Sequence, residues 1–317
     1  MKAVNTGSSV LSRPKDNRSF HEKLGERCVQ LLASGSAVVI ILIVAFVLAN
    51  GVPFLVKTGL AEFILGTTWD PTADEPSYGI LPMIVGTGLA TFGALAFAVP
   101  LGLACAIYIS EMVKSAIASV LRSAVELLAG IPSVVYGFFG MVLVVPFIRD
   151  VLNSRIGGYS ILAGSIVLAI MILPTVISIS VDALKSVPVS YREASLALGA
   201  NEWQTIAKIV LPAARSGIIA AVVLAMGRAI GETMAVAMVM GGVKAMPGAS
   251  LSNSLFKPLQ VFLEPGRTMT ATIAMEMGYA APTHKQALFA IAVILTATVL
   301  AFNTFVHLAL HRKKLRQ

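Results

Sequence analysis

Charge is what this 317-residue chain has least of: Asp, Glu, Lys and Arg together make 13% of it, where a soluble domain carries about a quarter. Cysteine is nearly absent as well. Only Cys28 and Cys105 occur, both near expected cytoplasmic ends of apolar runs, where a structural disulfide would face a reducing compartment. They read as small apolar packing residues without a redox role. The four histidines, His21, His284, His307 and His311, have no metal-ligand spacing, so no metal site is expected. No nucleophile–base constellation stands out, and no cofactor is expected. No Gly-Lys pair occurs anywhere, so the chain has no glycine-rich loop ending in Gly-Lys-Ser/Thr and cannot cradle nucleotide phosphates itself. No internal repeat is evident.

What is present is apolar length. Hydrophobic residues make 56% of the chain, and a helix crosses a bilayer core in about 20 of them. Uncharged runs cover Leu31–Val56, Gly79–Ile109, Leu127–Ile148, Ile156–Val181 and Gln286–Leu310, and a further run, Ser216–Val243, is interrupted by Arg228 and Glu232. The expected fold class is therefore all-α and integral to the membrane, with six transmembrane helices. The first run is read as a span and not a cleaved leader, because 30 residues precede it and no small-residue cleavage site follows a short apolar region.

The net charge of +8 is informative through its placement. With the N-terminus on the cytoplasmic side, the segments on that side hold sixteen Lys or Arg and the opposite loops seven. The positive-inside rule then puts both termini in the cytoplasm. Residues 1–27 read as a flexible basic arm, 28–311 as the six-helix membrane domain, and 312–317 as a basic tail beside anionic lipid rather than nucleic acid. The loop Lys57–Tyr78 carries Glu62, Asp70, Asp74 and Glu75 and is expected to face outward, as a docking rim or an ordinary solvated loop. Thr268–Ala280 is short for a span and reads as a re-entrant or interfacial helix. Its Glu276 is expected either to face an outer gate or partner, or simply to be solvated.

Prolines fall inside three of the apolar runs: Pro100, Pro132 and Pro174. Proline removes a helical hydrogen bond, and interrupted helices line substrate paths in transporters. With Ser133, Thr175, Ser178 and Ser180 close by, they point to a polar-lined passage.

Between these runs lies VPVSYREASLALGANEWQTIAKIVLPAARSG, Val187–Gly217. Ser190 and Glu193 have capping-box spacing, Gly199 suits a left-handed helix terminus, and Asn201 with Gln204 opens a second short helix. Pro212 marks the return to the membrane. The small surface of Ala194, Leu196, Ala197 and Leu198 suits a groove on a partner, and the segment lacks the Lys-rich face of a lipid-surface helix.

Within this stretch Glu193, Ala194, Ser195, Gly199, Ile209, Leu211 and Pro212 stand at the spacing of the Glu-Ala-Ala…Gly…Ile-x-Leu-Pro signature of ABC importer permeases, departing from it only in Ser195. Together with Gly79–Glu111, Glu126–Pro146 and Gly227–Val236, the chain from about Leu31 to Leu310 resembles the phosphate-specific branch of that family, its C-type subunit. The resemblance implies an ABC importer permease fold in a bacterial inner membrane, with Glu193, Ala194, Ser195, Ala197, Gly199, Leu211 and Pro212 in a cytoplasmic coupling helix. It also implies partners: a cytoplasmic ATPase dimer, a second homologous permease subunit and an external phosphate-binding protein. The chain itself is then not an enzyme.

Arg228 is the residue best suited to the substrate. It lies about halfway along Ser216–Val243, and a charge near the bilayer centre costs about 2.5–3.5 kcal/mol on insertion scales. Its planar fork suits a tetrahedral oxyanion. Glu232, four residues on, is expected on the same face, where it would hold Arg228 and weaken its grip on the anion. The alternative is a pair that only fixes helix packing. Gly227 and Gly231 allow a close helix approach. Two other readings stay open: a permease for molybdate, sulfate or phosphonate, and a gradient-driven transporter with Glu232 as proton carrier. Met226, Met234, Met238 and Met240 read as adaptable packing, and Glu126 as a helix-end carboxylate.

Overall fold

Apolar runs of this length leave the backbone no partner but itself, and helices result. The computed structural model describes residues 20–152, 157–248 and 260–314, with side chains described for 25–152, 157–248, 260–304 and 308. Six of its helical stretches are long and apolar enough to span a bilayer: Gly25–Thr58, Leu81–Met112, Ser133–Val151, Ile161–Lys185, Glu202–Gly231 and Pro282–Thr304. Each overlaps one of the expected runs.

The chain divides into two units, Met1–Val47 and Leu48–Gln317. Helix α1 runs Phe20–Thr58, so helix begins inside the segment expected as an arm. The remainder of that arm, and the side chains of the 312–317 tail, lie outside the described residues. The second unit continues with α2 (Leu60–Leu65), a two-residue antiparallel ribbon of β1 (Trp69–Asp70) and β2 (Ser77–Tyr78), α3 (Leu81–Ile107), α4 (Ser115–Ala129), α5 (Ser133–Phe139), α6 (Val145–Val151) and α7 (Ile161–Lys185). Next come α8 (Val189–Ala197), α9 (Glu202–Thr205), α10 (Leu211–Gly231), α11 (Met234–Val239), α12 (Met269–Glu276) and α13 (Pro282–Lys314).

The centre of the second unit is α3 against α7. Gly86, Ala90, Ala94, Ala98, Gly102 and Ala106 recur every fourth residue along α3 and are all buried. Small residues at this spacing bring helix backbones close, the usual membrane solution. A Cβ on Gly102 would meet Val176 at 2.7 Å, and one on Gly93 would meet the Ser165 hydroxyl at 2.3 Å. A second core gathers Phe54, Phe63, Trp69, Ile80, Met83, Leu288 and Ile291, with Phe54 edge-on to Tyr78 at 5.0 Å.

The prolines behave differently from expectation. Pro100 and Pro174 lie inside continuous helices; each removes one donor, and the surrounding bonds and packing carry the helix through. Pro146 and Pro212 instead follow wide π-helical turns, Gly140–Val144 and Ile206–Val210, where the ring displaces the carbonyl four residues back. The real interruptions lie at Gly130–Pro132, between α4 and α5, and at Glu232–Thr233, between α10 and α11. Neither cysteine is an interior packer: both are free and exposed.

Gly86 gives a direct test of the packing. A Cβ there would sit 2.4 Å from the Arg267 carbonyl oxygen, whereas Gly88 has open space around it. Gly86→Ala is expected to lower stability by about 1–3 kcal/mol as an overpacking change, and Gly88→Ala to leave it unchanged. Thermal melts of the purified full chain in detergent measure both.

Candidate functional site

The polar residues collect in three places. Helix α3 separates two of them: its first turns touch 267–269 and the chain just beyond it ends at Glu111, 25 residues after Gly86, or about 37 Å at 1.5 Å per residue.

At the Glu111 end stands the hairpin α8–α9. No side chain of α8 is buried. Its root is held by Arg192, which donates to both Glu111 carboxylate oxygens (2.8 and 3.0 Å) and to the carbonyls of Leu184 (3.0 Å) and Val187 (2.8 Å). That bidentate bond favours the charged form of Arg192 and raises its pKa above the ordinary value. Beside it Arg122 donates to Glu126 (3.2 Å) and to Asp182 (2.9 Å), so Glu126 is a helix-end partner of Arg122.

The turn has the form read from its glycine. Gly199 has φ +85°, its N–H donates to Leu196, and the Ala200 N–H reaches back to Ser195, a Schellman ending. Asn201 and Gln204 form the reciprocal capping box, at 2.8 and 3.0 Å. The expected box at Ser190 and Glu193 does not form. Pro188, in extended conformation, precedes the helix, so it starts at Val189 and Ser190 is already inside it. Glu193 is exposed and has no side-chain partner among the described residues. Ser195, the departure from the signature, is tied by a 2.9 Å hydroxyl contact to buried Thr205. Sequence reasoning missed Arg192 and Thr205. Leu198, 89% exposed, and Trp203 leave the tip free for contact, together with exposed Ala194 and Ala197. Leu211 is half-buried and Pro212 exposed, where the chain re-enters α10.

The second place is the interrupted fifth span. Helix α10 ends at Gly231, so Arg228 lies in its last turn and not midway along a span. Glu232 is extended (φ −69°, ψ 136°) and its carboxylate accepts from the Ala235 N–H at 3.2 Å, opening α11. The expected pairing of Arg228 with Glu232 is therefore absent: four-residue spacing brings side chains together only while the helix continues. Arg228 is exposed and has no hydrogen bond or ion pair among the described residues, although its charge reaches Tyr136. The Tyr136 hydroxyl donates to the Leu128 carbonyl at 2.7 Å, closing the other interruption. Helices α5 and α11 pack face to face at Gly137, whose Cβ would lie 2.9 Å from Ala235 Cα. Both breaks thus lie near Arg228. Ser133, Thr175 and Ser178 are half-buried, and no hydrogen bond joins them to Arg228. A Cβ on Gly227 or Gly231 would meet nothing within 4 Å, so no described helix uses that close approach. Of the four methionines here, Met226 and Met240 are buried and Met234 exposed.

The third place was not legible. Glu276, expected as solvated or as a gate, is fully buried. It accepts from Arg267 (2.7 Å) and the Trp69 indole (2.9 Å), contacts His284 Nε2 at 2.8 Å, and has Lys244 at 3.5 Å. The segment Thr268–Ala280 holds a short half-buried helix, α12, capped by the Thr268 hydroxyl.

Burial works to raise the Glu276 carboxyl, but the Trp69 bond, the Arg267 charge and the His284 and Arg267 bonds outweigh it, so its pKa lies below the ordinary value. A depressed carboxyl stabilises the fold above its unfolded value and loses that contribution as pH falls through the folded one. Melts from pH 7 downward are expected to show wild-type stability falling in the acid range below the ordinary carboxyl value. Glu276→Gln, which breaks a buried pair at a cost of about 3–5 kcal/mol, is expected to start lower and to lose less over the same range.

Six spans and an exposed hairpin turning at Gly199 are the features expected of the membrane component of an ABC importer. The chain belongs to the family of binding-protein-dependent transport system inner membrane components, which residues 98–316 match. It is 40% identical over 274 residues, 86% of this chain and 84% of the other, to a probable ABC transporter permease protein of Bacillus subtilis strain 168, YqgH. It is 34% identical over 308 residues, 90% of each, to the phosphate transport system permease protein PstC of Xylella fastidiosa strain Temecula1. A crystal structure of a bacterial ABC transporter involved in the import of the acidic polysaccharide alginate matches the fold with a TM-score of 0.57 at 15% identity, over 92% of this chain and 99% of that one.

Proposed function

We propose that this chain is the permease subunit of an ATP-driven inorganic phosphate importer and forms half of its passage. The observation that carries the reading is the hairpin: it is fixed at its root by Arg192 and Glu111 and offers an exposed tip with no buried side chain. Such a tip is suited to a cleft on a separate ATPase. The permease itself is non-catalytic. Relatives named as phosphate permeases along nine-tenths of the chain support the substrate. Arg228 supports it chemically, because a guanidinium stays charged and forks onto two oxygens of a tetrahedral anion.

In this reading the hairpin end and both termini are cytoplasmic, an ATPase dimer docks at Ala194–Gly199, and an external phosphate-binding protein meets the 57–78 and 244–285 end. A second homologous permease faces Arg228, where the open positions at Gly227 and Gly231 leave room for it. Ser133, Thr175 and Ser178 line the passage. ATP binding closes the ATPase pair and draws the hairpins together. The spans then open outward, the anion enters past Arg228, and hydrolysis restores the inward-open form.

Two measurements test this. Arg228→Gln removes a charge-assisted bond of about 1.5–3 kcal/mol and is expected to lower phosphate uptake by reconstituted complexes about tenfold or more, with assembly intact. Normal uptake sinks the passage role, and lost assembly makes Arg228 a packing residue. Excess sulfate or molybdate is expected not to compete; competition assigns another oxyanion. Second, a crosslinker on Ala197→Cys is expected to capture the ATPase chain, and repeated failure to do so removes the docking role.

A further inference from the structure

Helix α12 joins two places that the proposed cycle has to move together. Its C-terminal residue, Glu276, is locked to β1 through Trp69, to α13 through His284, and to the preceding loop through Arg267. It is held to α3 from its first residue onward: the Met269 N–H donates to the Thr87 hydroxyl (3.1 Å) and the Thr272 hydroxyl lies 3.2 Å from the Met83 sulfur. Its first turn carries Thr270, whose hydroxyl donates to the Glu232 carbonyl at 2.7 Å. That carbonyl lies where α10 has ended, and the last carbonyls of a helix have no intrahelical donor. The Gly231 carbonyl accepts from the Thr233 hydroxyl at 3.3 Å, and the Glu232 carboxylate takes the Ala235 N–H. The interruption beside Arg228 is thus held by three side-chain contacts, and one of them comes from outside the span.

We infer that α12 is a strut, with Thr270 as a positioning residue that sets the Arg228–Glu232 interruption according to the state of the Glu276 cluster at the opposite end of the helix. Thr270 and Glu276, both buried, are six residues apart, about 9 Å along the helix. A helix that short does not bend appreciably, so a shift of Glu276 moves Thr270. The cluster is itself tied to the ribbon Trp69–Tyr78, whose tip exposes Asp70, Asp74 and Glu75. A partner pressing on that ribbon acts first on Trp69, then on Glu276, and through Thr270 on the backbone that carries Arg228. The importance of this for transport rests on the reading of Arg228 above; the mechanical link does not.

The test reads the interruption directly. The reference is the full chain in membranes with exposed Cys28 and Cys105 changed to Ser and a reporter, Met234→Cys, placed at the exposed first residue of α11. Thr270→Val keeps the side-chain volume and deletes the donor. It is expected to raise the alkylation rate of the reporter about fivefold, the factor that loss of one hydrogen bond of ordinary strength gives, and Thr270→Ser to keep it at reference. Glu276→Gln is expected to raise it as well. Trp69→Phe keeps a ring against Tyr78 and His284 while deleting the indole donor and part of the buried bicycle, so it loosens the far end even if Glu276→Gln does not accumulate. An unchanged rate in Thr270→Val, a rate in Thr270→Ser as high as in Thr270→Val, or an unchanged rate in the far-end variants overturns the strut. In reconstituted complexes Thr270→Val is expected to lower maximal phosphate uptake about fivefold with little change in half-saturation, and Thr270→Ser to restore it. If wild-type complexes move no phosphate, the substrate reading fails and the alkylation result still decides the strut.

Discussion

Hydrocarbon offers no hydrogen bonds, and this constraint orders the rest of the structure. Wherever a helix continues, its backbone satisfies itself and the sequence is free to be apolar. Wherever it stops, donors have to be supplied from elsewhere. The two interruptions solve this alike. The Tyr136 hydroxyl closes the carbonyl of Leu128 and the Thr270 hydroxyl closes that of Glu232, each at 2.7 Å. Arg228 lies near both breaks, within a turn of one and in electrostatic reach of Tyr136. At these two interruptions the polar contacts thus follow from where the helices end.

Toward each end of α3 the fold is pinned by charge. Removing one member of a buried pair leaves the other uncompensated, so such pairs fix geometry more than they add net stability. Arg192 with Glu111 fixes the root of the hairpin while leaving its tip exposed. Glu276 with Arg267 and His284 fixes the opposite end and is enclosed. The first arrangement leaves the hairpin stiff where it joins the spans and open at its tip, as the proposed docking requires. The second suits a junction where several segments move as one.

How far the sequence discloses this depends on whether the cause is local. The six spans are legible because apolar length is a property of each run, and Gly199 and Asn201–Gln204 because a helix ending and a capping box are each set within a few residues. Ser190 was misread because Pro188 fixes the helix start two residues earlier. Arg228 and Glu232 were misread because four-residue spacing presumes helix, and at Glu232 the chain has left it. Pro100 and Pro174 mark breaks only by habit, since one missing donor does not end a packed helix. Glu276 was out of reach: its Trp69 partner is 207 residues away in sequence. The four-residue stripe from Gly86 to Ala106 was there to be counted, and small-residue spacing is the signal that finds it.

The face around Arg228 carries the last step. A guanidinium that stays ionised cannot rest against hydrocarbon without a cost of about 2.5–3.5 kcal/mol or more. Arg228 is nevertheless exposed and unpaired among the described residues, while Glu232, the nearest carboxylate in sequence, is occupied by the Ala235 N–H. Gly227 and Gly231 beside it have open space where a Cβ would be. An open, small-residue surface with an uncompensated cation is a poor lipid face and a poor finished interior. In the proposed reading it is one wall of a wet passage, completed by a second subunit that shields the charge from lipid and leaves it accessible to an anion.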